Sequence, residues 1–190
     1  MTPGGGATPL PARGRFDCPP GYLIRAGTPA DHPRLVEVEN AAGRLFATHG
    51  YPRIAEDGFD NVEQLRAVLD GGSVYVAADT DGSPVGFALA RPLADYLHLR
   101  ELAVDPAHGR KGLGGALVQA VLAHGMKAGV RGVSLTTFRT VPFNQPFYES
   151  QGFRELPVAD APPCLAEAFW AEIPHGIEPD ERLIMQFSFD

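Results

Sequence analysis

Four glycines, Gly109, Gly112, Gly114 and Gly115, stand with Arg110 and Lys111 in the stretch Pro106-Ala107-His108-Gly109-Arg110-Lys111-Gly112-Leu113-Gly114-Gly115-Ala116-Leu117-Val118. A glycine carries no Cβ, so backbone there can approach a ligand closely, and the first N–H groups of a helix lack intrahelical acceptors. A chain that turns through glycines into a helix can therefore hold a phosphate on its N–H groups, and Arg110 and Lys111 add positive charge at the same place. Spacing separates the kinds of phosphate loop. A P-loop needs Lys followed by Ser or Thr after its last glycine, whereas Gly114 is followed by Gly115 and Ala116. The dinucleotide fingerprint Gly-x-Gly-x-x-Gly fits Gly112 and Gly114 but meets Leu117 at its third position, and 132–138, GVSLTTF, lacks the acid expected about 20 residues on.

The elements that must position this turn follow from periodicity. Residues 97–105 read as a strand stopped by Pro106, and a helix runs from Gly112 to about Ala128 with Leu113, Leu117, Val121 and Leu122 on one side. Alternation along the strand puts His98, Arg100, Leu102 and Val104 on one face, with Leu99 and Glu101 on the other. Upstream, 21–25 reads as a first strand. Thr28-Pro29-Ala30-Asp31 then gives a cap, a proline and an acid that open a helix carrying Leu35, Val38, Ala42 and Leu45 on one face. That pattern leaves Glu37 and Glu39 on a solvated face; turned toward a substrate they would make an acidic mouth. The aromatics of 46–59 read as lid or core edge.

Asp60-Asn61-Val62-Glu63 reads as a capping box with Asp60 as cap, and Val62, Leu65, Val68 and Leu69 carry a second helix to Gly71-Gly72. Residues 73–79 and 85–90 form a hairpin about Thr80-Asp81-Gly82-Ser83. A strand over 130–137, a helix from about Asn144 to before Gly152, and a final helix (165–173) and strand (182–189) complete a mixed α/β sheet.

Composition fits one domain. With 190 residues, 44% hydrophobic and 21% charged, the chain has apolar material for one core over 21–190, while the Pro- and Gly-rich residues 1–20 read as a flexible head. Sixteen Lys and Arg against 23 Asp and Glu give a net charge of −7, which argues against nucleic acid or an acidic membrane and suits a neutral or cationic amine. Glu37, Glu39, Glu56 and Asp57 point the same way. No apolar run approaches the roughly 20 residues that cross a bilayer, so a cytoplasmic location is expected. Cys18 and Cys164 suggest neither a disulfide framework nor a metal cluster, and His98, His108 and His124 lack ligand spacing; no metal is expected.

Two motifs together resemble one family. Leu102, Val104, Pro106, Gly112 and Gly114 match the Leu-x-Val-x-Pro strand and Gln/Arg-x-x-Gly-x-Gly/Ala loop of the GNAT superfamily of acetyl-CoA-dependent N-acetyltransferases, with Gly109 standing where that family usually has Gln or Arg. Asn144-Gln145-Pro146-Phe147-Tyr148-Glu149-Ser150-Gln151-Gly152-Phe153 resembles the signature that closes the same fold. The resemblance implies a central twisted, mostly antiparallel sheet flanked by helices, with acetyl-CoA as cosubstrate.

It also implies roles. The pyrophosphate would lie on Gly109, Arg110, Lys111, Gly112, Leu113, Gly114 and Gly115, the pantetheine arm beside Leu102, Ala103 and Val104, and Asn144 and Phe147 would contact that arm. Tyr148 would protonate the departing thiolate. The family's base position falls on His98, with Glu101 as runner-up. The implied reaction is acetyl transfer to a primary amine of a small molecule or a protein by direct attack, without a covalent enzyme intermediate. The alternatives are a GNAT-fold sensor or scaffold that holds acyl-CoA without turnover, and a plain interaction domain whose glycine turn is structural. A homodimer stays open.

Overall fold

The computed structural model describes residues 18–56 and 58–189. The expected flexible head lies outside the described residues up to position 17, as does Asp57. Residues 18–20 lead into a turn in which the Tyr22 N–H donates to the Pro19 carbonyl at 3.1 Å.

Among the described residues, seven strands form one sheet: β1 (Leu23–Ala26), β2 (Ser73–Ala78), β3 (Pro84–Leu93), β4 (Tyr96–Val104), β5 (Gly132–Phe138), β6 (Arg154–Leu156) and β7 (Arg182–Ser188). Their order is β1-β2-β3-β4-β5-β7-β6, and every neighbouring pair is antiparallel except β4 with β5. The β2–β3 turn is closed by the Asp79 carboxylate, which accepts from the N–H groups of Asp81 and Ser83 at 3.0 and 2.9 Å. Among the described residues, six α-helices accompany the sheet: α1 (His32–Gly43), α2 (Pro52–Glu56), α3 (Val62–Leu69), α4 (Leu113–Ala128), α5 (Gln145–Ser150) and α6 (Pro163–Ala171). None of them is long and apolar enough to cross a membrane.

Alternation along the strands divides the core. Tyr75, Ala77, Ala88, Ala90, Leu97 and Leu99 bury against Leu117, Val118 and Val121 of α4 on one face. Val76, Ala78, Phe87, Leu89 and Ala103 meet Leu35 and Val38 of α1 and Leu65 of α3 on the other. A third cluster joins Tyr51 to Phe138 and Val141, with Phe46 and Ile54 packed against it, so part of the aromatic loop is core edge.

In its elements the structure departs from the sequence expectations as follows. The cap of α3 is Asn61, whose side chain accepts from the Gln64 N–H at 3.0 Å, while Asp60 bonds the Gln64 side chain instead. The short α2 and β6 carry too few residues for a periodic signal. Leu45 lies past the end of α1, in a 3-10 turn over Arg44–His49. The fourth departure is in β4. Leu89 pairs with Glu101 and Ala90 with Leu99, which leaves Arg100 as an extra residue, a β-bulge. The bulge resets the alternation: Leu97, Leu99, Leu102 and Val104 share the α4 face, while His98, Glu101 and Ala103 share the other. Strict period two had set His98 and Glu101 on opposite faces.

Candidate active site

Strands β4 and β5 pair only through Tyr96–Gly132, Leu97–Val133 and His98–Ser134. Beyond His98 the ladder stops and the strands part, as expected next to a bulge that sharpens the local twist. A cavity of about 820 Å³ occupies the gap, with Leu102 and Val104 on one wall, the glycine turn at one end, and Asn144, Phe147 and Tyr148 on the opposite wall.

At the glycine end, Pro106–His108 form a 3-10 turn whose Ala107 N–H donates to the Asp105 carboxylate at 3.0 Å. The chain then passes through positive φ at Arg110 (58°) and Gly112 (87°) and enters α4 with no side-chain cap. The N–H groups of the first α4 turn are thus left for a ligand, at the positive end of a helix of 16 residues. A Cβ on Gly114 would come within 3.3 Å of Phe147 Cζ, so glycine there keeps this part of the cavity open. These features fit a pyrophosphate. Gly109, Arg110, Gly112, Leu113, Gly114 and Gly115 all line the cavity. Lys111 does not: its Nζ donates to Tyr22 Oη at 3.0 Å, and the same phenol bonds His108 Nδ1 at 2.9 Å, which braces the turn against the N-terminal segment. Ala103 faces the α1 cluster, so its side chain is also turned away.

Beside Asn144 and Phe147, Tyr148 lines the cavity and packs edge-on against Phe147 and Phe153. Burial pushes its phenol above the ordinary value, the charge of Glu101 adds to the shift, and Arg182 opposes it. Glu101 is itself pushed up, first by burial and then by Glu39, with Glu172 adding and Arg100 and Arg182 opposing. Glu39, expected on a solvated face, turns inward. It stands four residues after Leu35 and three before Ala42, which places it on the buried side of α1, and its Oε2 is shielded from solvent without a hydrogen-bond partner. Burial raises its carboxyl as well. Glu37 points outward and pairs with Arg34 at 2.7 Å.

His98 is held elsewhere. Its Nδ1 lies 2.9 Å from Ser134 Oγ and its Nε2 3.1 Å from Glu172 Oε1, it is 5% exposed, and it does not line the cavity. Burial works against ionisation of Glu172, yet the bonds from His98 and Thr136 and the nearby Arg100 bring its carboxyl down to about 2. The pairing of His98 with Ser134 at the closed base of the gap explains this placement. Neither His98 nor Glu101 lines the cavity, and it is the charge of Glu101 that bears on Tyr148.

Of the outer rim, the sequence reading offers the 46–59 aromatics as lid or core edge but not the residues they meet. Leu45, Phe46 and His49 from the 3-10 turn meet Pro142 and Phe143 around the mouth, with Phe143 edge-on to Phe46 and His49 at 5.5 and 5.1 Å. Arg182 was also missed; its Nη2 donates to Thr136 Oγ1 at 2.7 Å and its guanidinium lies 4.5 Å from the Phe138 ring centre.

Comparison with known proteins agrees with this architecture. Mycothiol acetyltransferase of Clavibacter sepedonicus is 39% identical over 100 residues, which are 49% of this chain and 32% of that protein. The protein of the same name from Clavibacter michiganensis subsp. michiganensis (strain NCPPB 382) is 38% identical over 89 residues, 40% of this chain and 29% of that one. The chain thus matches less than a third of the length of these curated relatives. Among solved structures, the PaiA N-acetyltransferase from Thermoplasma acidophilum in complex with coenzyme A superposes with a TM-score of 0.66 at 19% identity, covering 88% of this chain and 99% of that one. The ribosomal-protein-S18-alanine N-acetyltransferase from Escherichia coli gives 0.63 at 20% identity over 88% and 93%. A model of the acetyltransferase (GNAT) family matches residues 38–153, a span that holds the second half of α1, the bulged strand, the glycine turn and Tyr148, and the chain belongs to that family.

Proposed function

We propose that the protein transfers an acetyl group from acetyl-CoA to a primary amine, of a small molecule or a protein, by direct attack and without a covalent enzyme intermediate. The observation that carries this reading is one cavity lined both by the first turn of α4, with its free N–H groups, and by Tyr148, with Glu101 bearing on the phenol.

Each step has a residue. The first turn of α4, Gly112 and Arg110 hold the pyrophosphate, and Leu102, Val104, Asn144 and Phe147 flank the pantetheine arm. Glu101, whose proton affinity is raised by burial, accepts a proton from the incoming ammonium, which leaves a neutral amine able to attack. Backbone N–H groups of β4 past the bulge, where the ladder with β5 is absent, are available to the oxyanion. As the C–N bond forms and the C–S bond breaks, Tyr148 gives its proton to the leaving thiolate, and the second proton lost by the amine nitrogen replaces it. His98 is not assigned the base role, because both ring nitrogens already lie within hydrogen-bond distance of Ser134 and Glu172.

The curated relatives are named for mycothiol. For this chain the cavity supports a broader acceptor class, a cationic amine drawn toward buried acids past an aromatic rim. Thiol release from acetyl-CoA with a panel of amines tests the reading. Amine-dependent release supports it. Thermal stabilisation by acetyl-CoA with no release from any amine would favour an acyl-CoA sensor instead.

A further inference from the structure

The β3–β4 register places Glu101 beside Leu89, and Leu89 packs under Leu35 and Val38 of α1. Ala103, two residues along the same face, joins that cluster. Glu101 therefore rises on the side of the sheet that α1 covers. Glu39 comes off the buried side of α1 directly after Val38, and Ala42, one turn on, lines the cavity. Two carboxylates thus meet on the side of the sheet that α1 covers. Neither has a hydrogen-bond partner among the described residues, and the Glu39 Oε2 has no solvent either. Buried polar groups in folded proteins are nearly always partnered, and two unpartnered acids meeting under a helix call for an explanation. A metal does not supply it, since among the described residues no group of three or more His, Cys, Asp or Glu side chains is arranged to hold one.

Resting on the acetyl-transfer reading, we propose that Glu39 acts on the reaction through Glu101, as a positioning residue that forms with it a carboxylate pair holding one proton between them. Two like charges close together beneath a helix cannot both ionise readily, so the pair keeps a proton and the last one to leave is bound tightly. Charged groups from every packed element enter the balance: Arg100 beside the base, Glu172 after α6, Arg182 on β7 and Tyr148 on α5. Arg182 is the cation that limits the effect. It is committed to Thr136 and the Phe138 ring, and no hydrogen bond joins it to either acid of the pair among the described residues. An arriving ammonium offers the pair the cation it lacks, and loses its proton to whichever carboxylate of the pair is ionised.

The test is a carboxyl titration of the full chain with isotope-labelled glutamate, followed by NMR. In the wild type, two glutamate carboxyls should titrate above the ordinary value of about 4.3, in coupled steps. Glu39→Gln should leave one of them, with its midpoint lowered by about one unit or more, a tenfold change in proton affinity. Glu101→Gln should do the same to Glu39, because the coupling is reciprocal, and this variant decides the matter if Glu39→Gln does not fold. In amine-dependent CoA release, Glu39→Gln should move the acid limb of kcat/KM to lower pH by the same amount. A helix-packing role alone would lower the rate without moving the limb. A remaining carboxyl that titrates as in the wild type overturns the pair. A wild-type protein that releases no CoA would refute the acetyl-transfer reading while the titration still decides on the pair.

Discussion

Glu101 stands opposite Leu89 in the β3–β4 ladder while Leu99 stands opposite Ala90, so one extra residue, Arg100, separates the two registers. That insertion brings Glu101 to the α1 side together with His98, and it lies two residues past the last β4–β5 pair, His98–Ser134. The chemistry assigned to the protein depends on this bulge.

Tyr148→Phe removes one hydroxyl from a ring held by Phe147 and Phe153. Binding of acetyl-CoA, measured by calorimetry, should be nearly unchanged, while turnover falls by roughly 10²–10⁴-fold, the usual range for one acid–base group. Near-normal turnover would show that water protonates the thiolate.

Gly112→Asp tests the phosphate end. Gly112 has φ of 87°, a region that Asp enters more readily than most residues, so the variant should fold. Its carboxylate would stand where the pyrophosphate belongs. Acetyl-CoA at a hundredfold excess over its dissociation constant should stabilise the wild type by about 2.7 kcal/mol and the variant not at all. A folded variant with the full thermal shift would place the phosphate elsewhere.

The glycine turn was legible because its chemistry is local: missing Cβ atoms and free N–H groups are written into consecutive residues. Most strands and helices were legible for the same reason. What period two could not reveal was the bulge at Arg100, since register is decided by β3 across the ladder, and a slip of one residue exchanges the faces. Glu39 was within reach, because Leu35 and Ala42 bracket it at helical spacing, but Glu37 beside it took the solvated side and both acids were read together. The rim of Leu45, Phe46, His49 and Phe143 joins segments about 100 residues apart in the chain, and no local pattern announces such a meeting.

His98→Ala should behave as a structural substitution. It deprives the buried Glu172 of a hydrogen-bond partner while leaving Thr136 and Arg100 in place, at a cost of about 1–3 kcal/mol in urea unfolding. The pH at which the acid limb of CoA release falls should not move. A shift of that limb, with stability unchanged, would return the base role to His98.

Stability should carry the mark of the buried acids. Glu101 has a folded-state pKa above its unfolded value, so the folded protein binds the proton more tightly, and stability is lost as pH rises from the unfolded value through the folded one. Glu101→Gln should therefore raise the melting temperature at neutral and alkaline pH and change it little in acid, where both states of the wild type are protonated. Equal effects at all pH values would mean that the carboxyl is not held protonated by the fold.

The most direct measurement is amine-dependent CoA release across pH for the wild type and Glu101→Gln, with acetyl-CoA saturating. The wild type should show an acid limb above the usual carboxylate range, and the variant should lose that limb and turn over roughly 10²-fold or more slowly at neutral pH. A Glu101→Gln protein with the wild-type rate and the wild-type profile would contradict the account.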